Sequence, residues 1–272
     1  MHLPLLNGRR GARTVLLLAA LLAACSSAPP SPAPTGFTVR VASYNIRHGA
    51  GADERVDLER TAEVLRGTRA DIVALQEVDE RVRRSGGVNQ AERLGELLGM
   101  HHAFGSFMDY QDGRYGLALL SRRPIASVDV VRLPEGNEPR VALAASIEQA
   151  NGTLLTVVVV HFDWVGDDTF RYAQAEVVAH YLDGLAGPYI VLGDFNDQPG
   201  SRTIELFRAR AREAAKPPAQ RPTFPATAPE REIDFIFAAP AAHWAVDSVA
   251  VIPEIVASDH RPVLARLRHG SR

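Results

Sequence analysis

Near its C-terminal end the chain reads Ser258-Asp259-His260-Arg261-Pro262, followed by the apolar run Val263 to Leu267. An aspartate and a histidine directly before a strand-like run put a carboxylate and an imidazole at one strand mouth. The arrangement recurs along the chain. Gly193-Asp194-Phe195-Asn196 follows the run Tyr189 to Leu192, Gln76-Glu77 follows Ile72 to Leu75, and Asn45 lies near the end of Val39 to Ile46. His161 closes the run Leu154 to Val160, and Asp234 opens another that continues Phe235-Ile236. Carboxylates and amides are hard oxygen donors for a divalent cation, and carboxylate–imidazole pairs move protons. Their recurrence at strand ends points to a metal-assisted hydrolase. Singly, each signal is weak. Glu77 alone reads as a solvated acid at a strand end, and Asp194 with Asn196 as a turn. A lone histidine reads as a hydrogen-bonded structural residue, the reading kept for His101, His102, His180, His243 and His269.

The elements that must position these groups alternate between two hydrophobic periods. Strands are expected at Val39–Ile46, Asp71–Leu75, Leu117–Ser121, Ile125–Arg132, Val141–Ile147, Leu154–His161, Tyr189–Leu192, Ile233–Phe237, Ala245–Val251 and Val263–Arg268. Asn151-Gly152 between two of them is a hairpin signal. Helical spacing marks Leu58–Thr68, with Asp57 as N-cap, then Ala91–Leu98 ended near Gly99, Thr169–Leu185 and Arg202–Arg210. Residues 215–230 are proline-rich and read as loop. Many strands with few helices between them argue against a purely parallel doubly wound sheet. The expected fold class is α/β (α+β): two packed mixed β-sheets flanked by helices. One domain over residues 37–268 is expected, without internal repeats.

In chain order, Ser-Tyr-Asn45-Ile, Gln-Glu77-Val, Tyr115-Gly-Leu-Ala-Leu-Leu-Ser, Pro-Arg140, His161, Gly-Asp194-Phe-Asn196, Ile-Asp234-Phe-Ile and Ser-Asp259-His260 resemble the endonuclease/exonuclease/phosphatase superfamily, over about Thr38 to Leu267. The resemblance implies a DNase I-like four-layer sandwich and a phosphoric ester hydrolase. It implies Glu77 as main ligand of Mg2+ (Mn2+ a possible substitute), with Asn45 and Asp259 completing or supporting the shell. Asp194 would orient or deprotonate the attacking water, and Asn196 would hold phosphate oxygen. His260, its tautomer fixed by Asp234, would act as general base or stabilise developing charge. His161 would donate to the scissile phosphate and Arg140 would contact it. Asp163, Trp164 and Asp168, by position alone, border the substrate mouth.

Composition narrows the substrate only modestly. The 272 residues carry a formal charge of −2; residues 1–24 hold Arg9, Arg10 and Arg13 and no acid, so the charge without them is −5. Such a domain has no global field for a polyanion, and Lys216 is the only lysine. Cys25 is the only cysteine, which excludes an intrachain disulfide and a Cys-based zinc site. The basic residues, the apolar stretch Val15–Ala24 and Leu22-Ala23-Ala24-Cys25 together resemble a bacterial lipoprotein signal. Expected are a signal peptide at 1–24, lipidation at Cys25, a Pro/Ser/Ala-rich tether at 25–36 and an exported, membrane-anchored protein of the cell envelope. No protein partner is expected. A lipid or small-molecule phosphodiester is the favoured substrate. A secreted or envelope-tethered nuclease on DNA or RNA is the alternative, and a non-catalytic envelope binding lipoprotein a remote one. Metabolic lipid labelling tests the anchor: wild type should take up label and Cys25→Ser should not, whereas an unlabelled wild type would remove the lipoprotein reading.

Overall fold

The computed structural model describes residues 36–270. The expected signal peptide, Cys25 and most of the tether lie outside the described residues. The elements run β1 (Phe37–Asn45), α1 (Leu58–Thr68), β2 (Ile72–Glu80), α2 (Gln90–Leu98), β3 (His101–Tyr110), β4 (Gly113–Ser121), β5 (Ile125–Arg132), β6 (Val141–Glu148), β7 (Leu154–His161), α3 (Thr169–Asp183), β8 (Tyr189–Asp194), α4 (Arg202–Arg208), β9 (Arg212–Glu213), β10 (Asp234–Ala239), β11 (Trp244–Val251) and β12 (Val263–His269). One sheet has the order β11-β12-β1-β2-β4-β3 and the other β5-β6-β7-β8-β10-β9. Among the described residues, only β1–β2 and β7–β8 pair in parallel. These are the crossovers that carry α1 and α3, since parallel neighbours need a long connection.

Alternation sorts each strand's side chains into layers. Val39, Val41, Ile72, Ala74, Val157, Val159, Ile190, Leu192, Ile236, Ala238 and Val263 lie between the two sheets. Ala42, Tyr44, Val73 and Leu75 face outward against Leu58, Leu65 and Leu94 of α1 and α2. Val158, Val160, Val191, Phe235 and Phe237 do the same against Val178, Leu182 and Phe207 of α3 and α4. The result is helices, sheet, sheet, helices, as expected. Local signals held where sequence chemistry was explicit. Asp57 caps α1 by accepting from Arg60 N at 2.8 Å, Gly99 ends α2 with φ +63°, and the β6–β7 hairpin turns at Gly152 with φ +80°.

Four strands differ most from expectation; β4 begins at Gly113, four residues before the expected Leu117. β3 went unread because His101, His102, Ala103 and Gly105 dilute its alternation, although Ala103, Gly105 and Phe107 are buried. β9 is only two residues long and carries no pattern. β2 continues past Leu75 because a bulge absorbs the break: Leu75 opposes Ala118 and Val78 opposes Gly116, so Gln76 and Glu77 share one partner position. Glu77 takes φ +59° there, a left-handed conformation that re-aims a side chain at the cost of local strain.

One close approach constrains the parallel β7–β8 pair. A Cβ on Gly193 would lie 2.0 Å from the Val160 carbonyl oxygen, so any side chain must push the two strands apart. Gly193→Ala is therefore expected to destabilise the domain by about 3 kcal/mol or more, read as a lowered urea midpoint. An unchanged midpoint would show that the pair relaxes freely.

Candidate active site

The polar residues named from the sequence converge because strand parity puts Asn45, His161, Asp194 and Asp234 in the layer between the sheets, at one end, where loops and a bulge bring the others. Asn45 continues the inward set Val39, Val41, Ser43. His161 continues Leu155, Val157, Val159, and Asp194 continues Ile190, Leu192. Asp234 precedes Ile236 and Ala238 on antiparallel β10. Registers align them: His161 pairs with Asp194 across β7–β8, and Asp194 with Asp234 across β8–β10. Asp259 and His260 arrive on the loop before β12, whose Val263 pairs with Ser43. Ser258 pins that loop by donating from Oγ to the Asn45 carbonyl at 2.7 Å.

Asp194 is the hub. Its Oδ2 lies 3.6 Å from Nε2 of His161 and 3.6 Å from Nε2 of His260, and accepts from Asn45 Nδ2 at 3.2 Å. Its Oδ1 accepts from the Asn196 backbone N–H at 2.9 Å. Asn196 sits at φ +50°, a conformation asparagine tolerates, and donates from Nδ2 to the Phe162 carbonyl at 3.0 Å. It thus ties the β8 loop to β7 while one amide N–H stays free. His260 Nδ1 lies 3.0 Å from Asp234 Oδ2, to which Thr223 Oγ1 also donates. The Phe224 ring covers His260, with centroids 4.9 Å apart.

Burial sets the protonation states. Desolvation raises Asp194 well above an ordinary carboxyl, with a further push from Asp234 against the lowering influence of His260. Burial disfavours a charged His260, but Asp234 and Asp194 outweigh it and raise the imidazole, which stays protonated. His161 is driven the other way, by burial and then by Arg140 and His260, and is neutral.

A cavity of about 420 Å³ opens over this group, lined among others by Glu77, Tyr115, Arg140, Trp164, Asp194 and Asp259. Glu77 accepts from Asn45 Nδ2 at 3.0 Å. Asp259 meets Arg47 only at 3.9 Å and is more than a third exposed. Burial and then the Glu77 carboxylate hold the Tyr115 phenol protonated. Glu77 and Asp259 thus offer carboxylate oxygens to the cavity, a donor set that suits a hard, partly hydrated cation. Asn45 turns its amide nitrogen to Glu77 and Asp194 and its oxygen to the Arg47 N–H at 3.1 Å, so it braces that set. Asp194, Asp234 and His260 also have ligand-like spacing, within 4.8 Å of one another. There, however, a protonated imidazole already satisfies the carboxylates, and a cation would have to displace its proton. Arg140 is 3 % exposed. Its Nη2 meets Glu138 at 3.0 Å, while its buried Nε and Nη1 have no partner.

The family model of the Endonuclease/Exonuclease/phosphatase family matches residues 42–260. The chain belongs to this family. Its members are divalent-metal-dependent hydrolases of phosphoester bonds, and the two-sheet sandwich is the DNase I-like fold. An uncharacterized Escherichia coli K12 protein, YbhP, is 28% identical over 253 residues, covering 85% of this chain and 96% of its own. An endonuclease/exonuclease/phosphatase from Bacteroides vulgatus is 26% identical with TM-score 0.71, covering 85% of this chain and 98% of its own. A mannosyl-6-phosphatase from Bacteroides thetaiotaomicron, 21% identical with TM-score 0.68 over 84% of this chain and 99% of its own, shares the fold.

Against the sequence reading, all nine residues named for metal, catalysis and phosphate lie in this one region. Of the three mouth residues, Trp164 lines the cavity and is 56 % exposed. Asp163 is buried and accepts from the Asn137 N–H, and Asp168 pairs with Arg202 outside it. Phe224 and Arg231 also line the cavity and were missed, because the proline-rich segment around them carries no periodicity. If Asp194 must be ionised to accept a proton, its raised pKa means activity falls as pH drops through a value above the 3.8 of an ordinary aspartate. With that carboxyl raised to about 7, the acid limb of kcat/KM is expected near neutral pH; a profile that stays flat down to the range of an ordinary aspartate would show that a different group controls turnover.

Proposed function

We propose that the protein is a Mg2+-dependent phosphodiesterase (Mn2+ a possible substitute) acting on a lipid or small-molecule phosphodiester by in-line attack of an activated water. The observation that carries this is the meeting, in one cleft, of a buried high-pKa carboxylate, a carboxylate-backed imidazolium and a buried arginine with two unpaired donors. A phosphoryl group offers what the arginine lacks: anionic oxygens for its unpaired N–H donors.

Glu77 and Asp259 would hold the cation, braced by Asn45; when bound it neutralises charge on the phosphate and the leaving oxygen. Asp194 orients a water and accepts its proton, a task suited to a carboxylate whose pKa is raised by burial. His260, kept charged by Asp234, stabilises negative charge developing at phosphorus. This favours the stabilising role over the general-base role for His260, since a protonated ring has no proton-accepting site. Neutral His161 donates one hydrogen bond from Nε2, and Asn196 offers its free amide N–H to a phosphate oxygen.

The acidic composition and the carboxylates Glu138 and Asp259 at the cleft do not favour a polyanion, so the lipid or small-molecule ester ranks above nucleic acid. An exported, membrane-anchored location through Cys25 is part of the same reading, resting on the sequence of residues 1–25.

The test is a substrate panel with Mg2+: plasmid DNA, sphingomyelin, glycerophospholipid and inositol phosphates, with products identified by phosphorus NMR. Release of a phosphorylated head group, lost with EDTA, is expected. Asp194→Asn and His260→Ala should each lower kcat about 10²–10⁴-fold with unchanged thermal unfolding. DNA cleavage with intact lipids would reverse the substrate ranking. Near-normal rates in either variant would remove the mechanism. Arg140→Lys keeps the charge but loses the spread of guanidinium donors, so it is expected to lower kcat/KM about 10-fold or more; wild-type kinetics in that variant would remove Arg140 from phosphate binding.

A further inference from the structure

A second cavity, of about 480 Å³, adjoins the catalytic cleft and has Arg140 as a shared wall. It lies at the same end of the sandwich. Phe107 and Met108 come from the C-terminal part of β3; Leu133, Glu135 and Pro139 come from the loop joining β5 to β6. Its size is that of a small-ligand site. Its floor is apolar: Phe107 is 4 % exposed and Leu133 9 %. Met108 is half-buried and packs against the inter-sheet core. Arg132 and Glu135 stand exposed at the edge.

We propose that this cavity is a subsite for an apolar organic group of the substrate, alkyl or acyl, attached to the phosphate held at Arg140. The inference rests on the phosphoesterase reading above and names the substrate class more closely. Two features select this chemistry over a nucleoside. The Arg140 guanidinium sits 4.9 Å from the Phe107 ring centroid, so the cavity's one aromatic ring has that face covered and unavailable for base stacking. The other polar side chains of the lining, Arg132 and Glu135, stand exposed at the rim, so apart from Arg140 the buried wall presents no side-chain donor or acceptor to the edge of a base. An alkyl chain asks only for burial, and Phe107, Met108, Leu133 and Pro139 supply it. Arg140 then works in both directions. Its unpaired Nε and Nη1 donors are satisfied by phosphate oxygen, and its planar face packs on Phe107 to close the apolar floor. A substrate with its phosphate on Arg140 thereby has one ester arm directed into the second cavity.

The test separates binding from turnover. Alkylphosphonates cannot be hydrolysed at their P–C bond, so methyl-, butyl- and octylphosphonate are titrated calorimetrically into the full chain with Mg2+. Affinity should rise with chain length, by at most about fourfold per methylene, and octylphosphonate should bind about 100-fold or more tighter than methylphosphonate. Met108→Trp fills the cavity and should cut that octyl-to-methyl ratio to about tenfold or less; Leu133→Phe is the second variant should the first fail to fold. Equal affinity across the series, a ratio unmoved by a folded filling variant, or tighter binding of a nucleoside 5′-monophosphate than of octylphosphonate would overturn the subsite. Hydrolysis of methyl p-nitrophenyl phosphate by the same wild-type preparation reports on the enzymatic reading separately. Turnover with a flat chain-length series removes the subsite alone. A steep series without turnover of any phosphoester removes the enzymatic reading alone.

Discussion

The site depends on one buried charge problem, the Asp194 carboxylate. Placed between two sheets, it is desolvated, and an isolated buried carboxylate would simply take up a proton. Here His260 lies on one side at 3.6 Å, Asn45 donates at 3.2 Å and the Asn196 backbone at 2.9 Å. That set lowers the cost of the anion without removing it, and the outcome is a carboxyl poised between its two states. His260 can do this only because Asp234 charges it, and Thr223 and Phe224 fix Asp234 and the ring in turn. The chain of support therefore extends from one aspartate through two further strands and a loop.

Convergence of these groups is a consequence of parity and register. An inward residue two positions beyond the last apolar inward residue of a strand lands in the same layer, where the sheets open to solvent. β7 and β8 follow that rule, ending on His161 and Asp194, and β1 extends it by one further inward position, through Ser43 to Asn45. A one-residue slip of β8 against β7 would turn Asp194 outward toward the aromatic cluster of Phe195, Phe207 and Phe237. Gly193 guards the register, since it alone permits the close contact with Val160. The outward Phe195, between Asp194 and Asn196, packs into that cluster and anchors the loop from behind.

Much of this was legible in the residues. Apolar runs ending in Asp, Asn, Glu and His located the site, and the Asn151-Gly152 turn and the Asp57 cap located elements, because each signal is local. What was not legible depended on contacts distant in sequence. β3 is a strand because β4 pairs with it, not because of its own alternation. The reach of β2 to Glu80 required a bulge, which leaves no composition signal when Glu rather than Gly takes the positive φ. Phe224 and Arg231 border the site only because Thr223 and Phe224 bond back to Arg231 across the proline-rich loop. Asp168 was placed by proximity to His161 in sequence, and its partner is Arg202, 34 residues away.

The distribution of unpaired buried polar atoms supports the same picture from another direction. Folded domains leave few such atoms, and each asks for a cause. Among the described residues, Ser43 Oγ, both Gln76 side-chain polar atoms, two Arg140 nitrogens, His161 Nδ1 and Asp234 Oδ1 are of this kind near the cleft, and Tyr44 Oη, His48 Nδ1, Arg60 Nε, Thr203 Oγ1 and His269 Nδ1 are of this kind elsewhere. Asp234 and His161 are paired through their other atoms to or beside Asp194, and Gln76 pairs in register with Asn45. Seven of these twelve atoms thus sit at the catalytic end of the inter-sheet layer, while the opposite end, where Phe37 packs on Trp244, holds one, His269 Nδ1. A fold selected for stability alone would fill these positions with apolar residues, as the rest of the layer does. Retaining polar groups without partners costs stability, and for the unpaired donors among them an anionic ligand in the cleft offsets that cost. For Arg140 the argument is strongest, because a guanidinium cannot shed its charge to relieve burial, so its two free donors specify an anion rather than a change of protonation.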